Sequence, residues 1–295
     1  MAIRAIFFDL DDTLFPAEPV YLRGLQAAWR SYQRHSPITW PAFLKTCLQA
    51  RKDVKGLLGP RPAARSRLLY LKRAVELLEG RQDPALTLEL MRAYDTCWAL
   101  IRAPKTAAMA KSLAREYTLG IITNQVCATQ LRKLARIDPH GRIFPVLVTS
   151  EEAGVEKPHR LIFREACRRA GCLPQEALMV GNSWEADVLG ARKAGMQAAY
   201  LRGKDLRRKP SPGIFILRSL EDLPSLLGPG FRRDDGLSSP RRKPGSRITN
   251  QRLLLGPGFR RDDDLNYGLH RNDDRSQGLR RNDEVDNVNK RRTRS

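Results

Sequence analysis

The chain has 295 residues, 41% of them hydrophobic, and a formal net charge of +21, with 53 Lys/Arg against 32 Asp/Glu. That apolar content supports a real core, and the charge favours anionic partners without selecting among nucleic acid, phosphorylated metabolites and anionic lipid. No apolar run approaches the roughly 18 to 20 residues of a membrane span, and the five cysteines (Cys47, Cys97, Cys127, Cys167 and Cys172) are odd in number with no CxxC pair, so neither a disulfide framework nor a zinc site is signalled and reduced, mostly buried thiols are expected.

The first predicted element is a strand over residues 3–9, IRAIFFD. It runs into Asp9, Asp11 and Asp12, three carboxylates within four positions, in the stretch IFFDLDDTLF. Like charges at the end of a buried strand repel and resist desolvation, so the cluster costs stability unless a cation or a substrate offsets it. The acidic cluster also comes before any signal-peptide core could form, which predicts a cytoplasmic protein.

From Pro16 to about Ala103 the sequence reads as helical. Leu68, Leu71, Val75 and Leu78 follow i, i+3, i+7, i+10 spacing, and Leu86, Leu90, Tyr94 and Trp98 recur every four residues, giving one apolar face per helix. The block is too long for a crossover and predicts a four-helix insertion, placed to cover a crevice as a lid. Its aromatic residues Trp29, Tyr32, Trp40, Tyr70, Tyr94 and Trp98 are expected in its core.

Further strands are predicted at 118–122, 145–149, 177–181, 197–201 and 214–217, with helical stretches between them. This alternation implies a parallel sheet with helices on both faces, because parallel neighbours need crossover connections. Ligands in such sheets bind outside the carboxyl ends of the strands, where Asp9, Asn124 and Asn182 fall.

The last segment differs in kind. LLGPGFRRDD occurs at 226–235 and again at 254–263, and GLHRNDD at 268–274 is echoed by GLRRNDE at 278–284. Residues 228–295 hold 17 Lys/Arg and 10 Asp/Glu, a net of +7, leaving +14 (36 minus 22) for residues 1–227. One to three apolar residues per repeat are too few to offset an ordering entropy of about 1 to 2 kcal/mol per residue, so this tail is expected to be disordered. Its interleaved aspartates, and Tyr267 as its one aromatic ring besides two phenylalanines, disfavour a nucleic-acid-binding arm.

DLDDT after a strand resembles the first motif, DxDx(T/V), of the haloacid dehalogenase superfamily. IITN at 121–124 resembles the second motif, EKP at 156–158 the lysine motif, and MVGNSWEADVLGARKAG at 179–195 the acidic motif GDxxxxD. The four pieces come in the required order over about residues 3–227, and the helical insertion is similar to the capped branch of the superfamily.

The resemblance implies an α/β fold: a Rossmann-like doubly wound parallel sheet (residues 1–15 and 104–227), an inserted helical cap (16–103) and the disordered tail (228–295). It implies Asp9 as nucleophile, Asp11 as general acid/base, and Lys157, Thr123 and Asn124 as contacts to the phosphoryl oxygens. Asp11 favours phosphoryl transfer over carbon–halogen cleavage, since dehalogenases of the family lack Asp there. Magnesium is the implied cofactor, held by Asp9, the main-chain carbonyl of Asp11, Asn182 and Asp187; Asn182 departs from the family's usual Asp and removes one negative charge. Asp12 is weighed as a surface or capping residue rather than a direct participant. The implied activity is hydrolysis of a small phosphorylated metabolite, such as a sugar phosphate or nucleotide. A phosphomutase, or a weakened anion- or nucleic-acid-binding protein, is the alternative; no membrane partner is expected, and oligomeric state is open.

Overall fold

The computed structural model describes residues 2–201 and 208–228. Of the predicted tail, all but Gly228 lies outside the described residues, and so does the expectation of disorder placed on it.

In chain order the elements are β1 (Ala5–Phe8), α1 (Ala17–Tyr32), α2 (Trp40–Leu58), α3 (Arg67–Glu79), α4 (Pro84–Asp95), α5 (Pro104–Leu113), β2 (Thr118–Thr123), α6 (Cys127–Leu134), β3 (Val146–Thr149), α7 (Ser150–Ala153), α8 (Arg160–Ala170), β4 (Ala177–Gly181), α9 (Gly190–Lys193), β5 (Gln197–Leu201), β6 (Ile214–Leu217) and α10 (Leu223–Leu226). A π-helical turn, Trp184–Leu189, leads into α9. All six predicted strands are present, and they form one parallel sheet in the order β3-β2-β1-β4-β5-β6. The order reverses at β1, which pairs with β2 on one side and β4 on the other, so the crevice of a doubly wound sheet opens at the end of β1.

Side chains alternate across a strand, and β1 shows why its whole run is apolar. Ile6 and Phe8 enter one core with Leu119, Ile121 and the helical insertion, whereas Ala5 and Phe7 enter a second core with Ile162 and Phe163 of α8. The sheet is therefore buried on both faces.

Between β1 and α5 the four predicted helices pack as α1 on α4 and α2 on α3. Ser66 caps α3 by accepting from the Leu69 N–H at 3.3 Å, and Asp83 caps α4 by accepting from the Leu86 N–H at 2.9 Å with Pro84 in the first turn. Leu86, Leu90, Tyr94 and Trp98 are all buried, as their spacing predicts. On α3 the agreement is partial: Leu71 and Val75 are buried, but Leu68 in the first turn is 41% exposed. Tyr32, Tyr70, Tyr94 and Trp98 are buried, and the half-buried rings of Trp29 and Trp40 pack at 5.8 Å. No helix among the described residues is long and apolar enough to cross a membrane, and all five cysteines are free.

Candidate active site

Asp9 follows β1 directly, and its backbone N–H extends the ladder by donating to the Val180 carbonyl at 2.9 Å. The chain then turns sharply. Asp12 takes φ +58°, a left-handed conformation that Asp tolerates better than most residues, and its N–H donates to the Phe15 carbonyl at 2.9 Å. Its Oδ1 accepts from the Ala17 N–H at 2.7 Å and so caps α1. The capping reading of Asp12 accounts for its side chain.

Lys157 joins three elements. Its fully buried ammonium donates to Asp9 Oδ1 at 2.6 Å, Asp187 Oδ1 at 2.7 Å and the Ile122 carbonyl at 2.7 Å, which uses all three donors. Burial works against its charge, but Asp187 and Asp9 outweigh burial and raise its pKa. Asp187 Oδ2 accepts from the Ser183 N–H at 2.9 Å. A Cβ on Gly181 would lie 2.3 Å from that same oxygen, so the end of β4 has to be glycine for Asp187 to reach in.

Asn124 sits at the cavity but differs from expectation. Its Oδ1 accepts from the Lys157 N–H at 2.6 Å and its Nδ2 donates to the Lys157 carbonyl at 2.8 Å. Both ends of the amide are thus engaged with main chain, and the side chain positions Lys157 rather than facing the cavity as a free donor. Thr123, at the end of β2, accepts through Oγ1 from Gln130 Nε2 at 2.6 Å, which leaves its own hydroxyl proton for another acceptor. Asn182 lines the cavity and accepts through Oδ1 from the Thr13 hydroxyl at 3.3 Å.

Asp11 is held by residues not singled out in the sequence. Lys133 Nζ lies 2.7 Å from both its oxygens and 2.7 Å from the Tyr21 hydroxyl, which itself donates to Asp11 Oδ2 at 2.7 Å. Lys133 is fully buried, and burial brings its pKa down to about 8 although Asp11 opposes the change. On α6 it follows Thr129 and Gln130, both buried, by four and three residues. That spacing is the signal that could have placed it inward.

Asp9, Asp11, Thr123, Asn124, Lys157, Asn182 and Asp187 all line one cavity of about 310 Å³, the size of a small-metabolite site, with Lys133 behind its wall. Every residue expected at the site is therefore brought together. The cavity also receives Arg51, Lys55, Arg65 and Arg67 from the helical insertion. Arg65 forks onto Glu156, Nε to Oε1 at 2.9 Å and Nη2 to Oε2 at 2.8 Å, next to Lys157 in sequence.

Burial pushes the Asp9 carboxyl up to about 7, with Lys157 opposing and the charges of Asp187 and Asp11 adding to the rise. Burial is thus the main cause of the rise, and Lys157 works against it. Among the described residues no three His, Cys, Asp or Glu side chains form a closed ligand set. Two residues of the cavity wall offer oxygens: Lys157 engages only Oδ1 of the Asp9 carboxylate, and Asn182 brings a neutral amide oxygen that accepts from Thr13. A hard dication that takes one or two carboxylates and completes its shell with water and phosphate suits this set, so the residues fit magnesium. Asp187, expected as a ligand, has both oxygens engaged by Lys157 and Ser183.

Comparison with known proteins agrees with this geometry. The chain is 32% identical over 206 residues to a glyceraldehyde 3-phosphate phosphatase from Methanothermobacter thermautotrophicus, covering 68% of this chain and 87% of that one. It is 34% identical over 197 residues to a ribulose-1,5-bisphosphate 5-phosphatase from Halopiger xanaduensis, covering 65% and 82%. In three dimensions it is similar to a 2-haloacid dehalogenase from Pseudomonas syringae, with a TM-score of 0.59, 25% identity, and 76% and 98% of the two chains covered. The sequence model of the haloacid dehalogenase-like hydrolases matches residues 3–195, and the chain belongs to that family of enzymes.

Proposed function

We propose that this hydrolase is a magnesium-dependent phosphatase that cleaves a small phosphate monoester through an aspartyl-phosphate on Asp9. The observation that carries the reading is the pair of carboxylates in one cavity. Asp9 is buried and fixed against Lys157, while Asp11, two residues on, is held separately by Lys133 and Tyr21. Two carboxylates in unlike surroundings suit two unlike roles.

Asp9 attacks phosphorus as the ester P–O bond breaks, and Asp11, which enters the cycle as the carboxylic acid, gives its proton to the departing alkoxide. Asp11, now a carboxylate, takes a proton from the incoming water, whose oxygen attacks phosphorus. The P–O bond to Asp9 then breaks, releasing phosphate and restoring the aspartate. Lys157 orients Asp9 and Asn124 holds Lys157, while the Thr123 hydroxyl, whose proton Gln130 leaves unused, would donate to a phosphoryl oxygen. Magnesium would be held by Asp9, the main-chain carbonyl of Asp11 and Asn182, and when bound it supplies positive charge to the phosphoryl oxygens. Asp187 serves that arrangement through Lys157 rather than through the metal. The helices of residues 16–103 act as the cap that selects the substrate. The names of the two phosphatase relatives support sugar phosphates as the first class to test.

A panel of phosphorylated metabolites, read by released phosphate with and without a magnesium chelator, tests this reading. Release from at least one sugar phosphate, lost in chelator, is expected. A full panel without release would contradict it.

A further inference from the structure

The insertion brings more positive charge to the cavity than one phosphoryl group requires. Arg51 and Lys55 stand one turn apart on α2, which puts them on the same side of the helix, and Arg67 opens α3. Arg65 is satisfied by its fork onto Glu156. Among the described residues, Arg51, Lys55 and Arg67 pair with no carboxylate. Arg67 lies 4.4 Å over the Tyr21 ring and 5.5 Å from the centre of the Tyr70 ring, and its Nη1 donates to the Arg65 carbonyl at 3.0 Å, so two aromatic faces and one main-chain acceptor fix its guanidinium at the cavity wall.

Lys55 shows that the cluster is under electrostatic load. Its pKa is lowered by burial first and then by Arg51, Arg65 and Arg67, with Glu156 alone opposing. Like charges gathered at a cavity wall repel one another, and an anion among them removes that cost. The other cations near the reacting groups are already engaged, Lys157 by Asp9 and Asp187 and Lys133 by Asp11.

We propose that Arg51, Lys55 and Arg67 form a second anion subsite, so that the substrate carries, besides the phosphoryl group transferred at Asp9, a second phosphate or carboxylate. The assignment of the first group rests on the phosphatase reading above. Guanidinium and ammonium groups recognise both anions through the same charge-assisted hydrogen bonds, and only the phosphate brings a second negative charge.

The test uses inert phosphonates, so that binding is read whether or not the protein turns over. Calorimetry on the full chain with saturating magnesium compares propylphosphonate with 4-phosphonobutanoate and propane-1,3-bisphosphonate, for the wild type and for Arg51→Met/Lys55→Met. Both replaced side chains are at least partly exposed, which limits the effect on folding.

The wild type should bind at least one doubly anionic ligand about tenfold more tightly than propylphosphonate, and the double variant should lose most of that ratio. A gain with the bisphosphonate alone assigns the second group as phosphate; an equal gain with the phosphonobutanoate assigns a carboxylate. Equal affinities for all three ligands in the wild type would overturn the subsite. So would a double variant that weakens all three alike, because the cations would then serve the reacting phosphate. Preferential binding without phosphate release from the corresponding esters would retain the subsite and refute the phosphatase reading instead.

Discussion

Lys133 carries its charge with no surface exposed to solvent, and the reason is its partner. Replacing it with Met keeps the volume and removes the two 2.7 Å contacts to Asp11, whose side chain is 23% exposed and can regain hydration. Asp11 would then keep Tyr21 alone and lose its fixed orientation. We expect Lys133→Met to lower kcat at least about tenfold, since proton transfer depends on placement, while urea unfolding moves by less than about 2 kcal/mol. An enzyme with full kcat would show that the Asp11–Lys133 pair does not orient the proton donor. Asn182→Asp adds a carboxylate to the wall that Asp9 shares, so the magnesium concentration for half-maximal activity should fall severalfold. Stability in chelator should fall as well, by about 1 kcal/mol, because the new charge crowds Asp9 with nothing to neutralise it. If neither quantity moves, Asn182 does not face the metal.

Where α1 meets α4, the contact is set by an absent side chain. A Cβ on Gly24 would lie 2.8 and 2.9 Å from the Tyr94 ring and 3.0 Å from Cys97 Sγ. Tyr94 is 2% exposed and packs edge-on to Trp98 at 5.7 Å, so it has no room to yield. Helix propensity alone predicts that Gly24→Ala stabilises α1 by about 1 kcal/mol, whereas overpacking costs about 1 to 3 kcal/mol. The packing cost should win, and a thermal or urea melt should show net destabilisation; a more stable variant would mean that α1 shifts freely on α4. The same contrast explains what the sequence disclosed. Strands buried on both faces are written as continuous apolar runs, and α4 as a four-residue period, so these elements were legible. Asp9, Asp11 and Lys157 were legible because short motifs at strand ends carry them. Lys133 was not, since a lysine on a basic helix reads as surface until its partner is known. Nor was the role of Asn124, which depends on main chain 33 residues away that only the folded sheet brings alongside.

Across the molecule, both halves of the site depend on charges that the fold sets against each other. Carboxylates gather where the sheet order reverses, and the helical insertion places cations in the same cavity. The net of +14 on residues 1–227 favours the approach of an anionic substrate to that cavity. The three carboxylates that follow β1 are thereby divided among different tasks, with Asp9 against Lys157, Asp11 against Lys133 and Asp12 on the helix cap. In the proposed reaction Asp9 becomes covalently phosphorylated, and that intermediate can be trapped. The wild-type enzyme, mixed with a substrate found in the panel and magnesium, is quenched during turnover with borohydride, which reduces an acyl phosphate to an alcohol, and the peptide spanning residue 9 is sequenced by mass spectrometry. Homoserine is expected at position 9, dependent on substrate and absent from Asp9→Asn. Continued phosphate release with position 9 unmodified, or with the modification on another carboxylate, would contradict it.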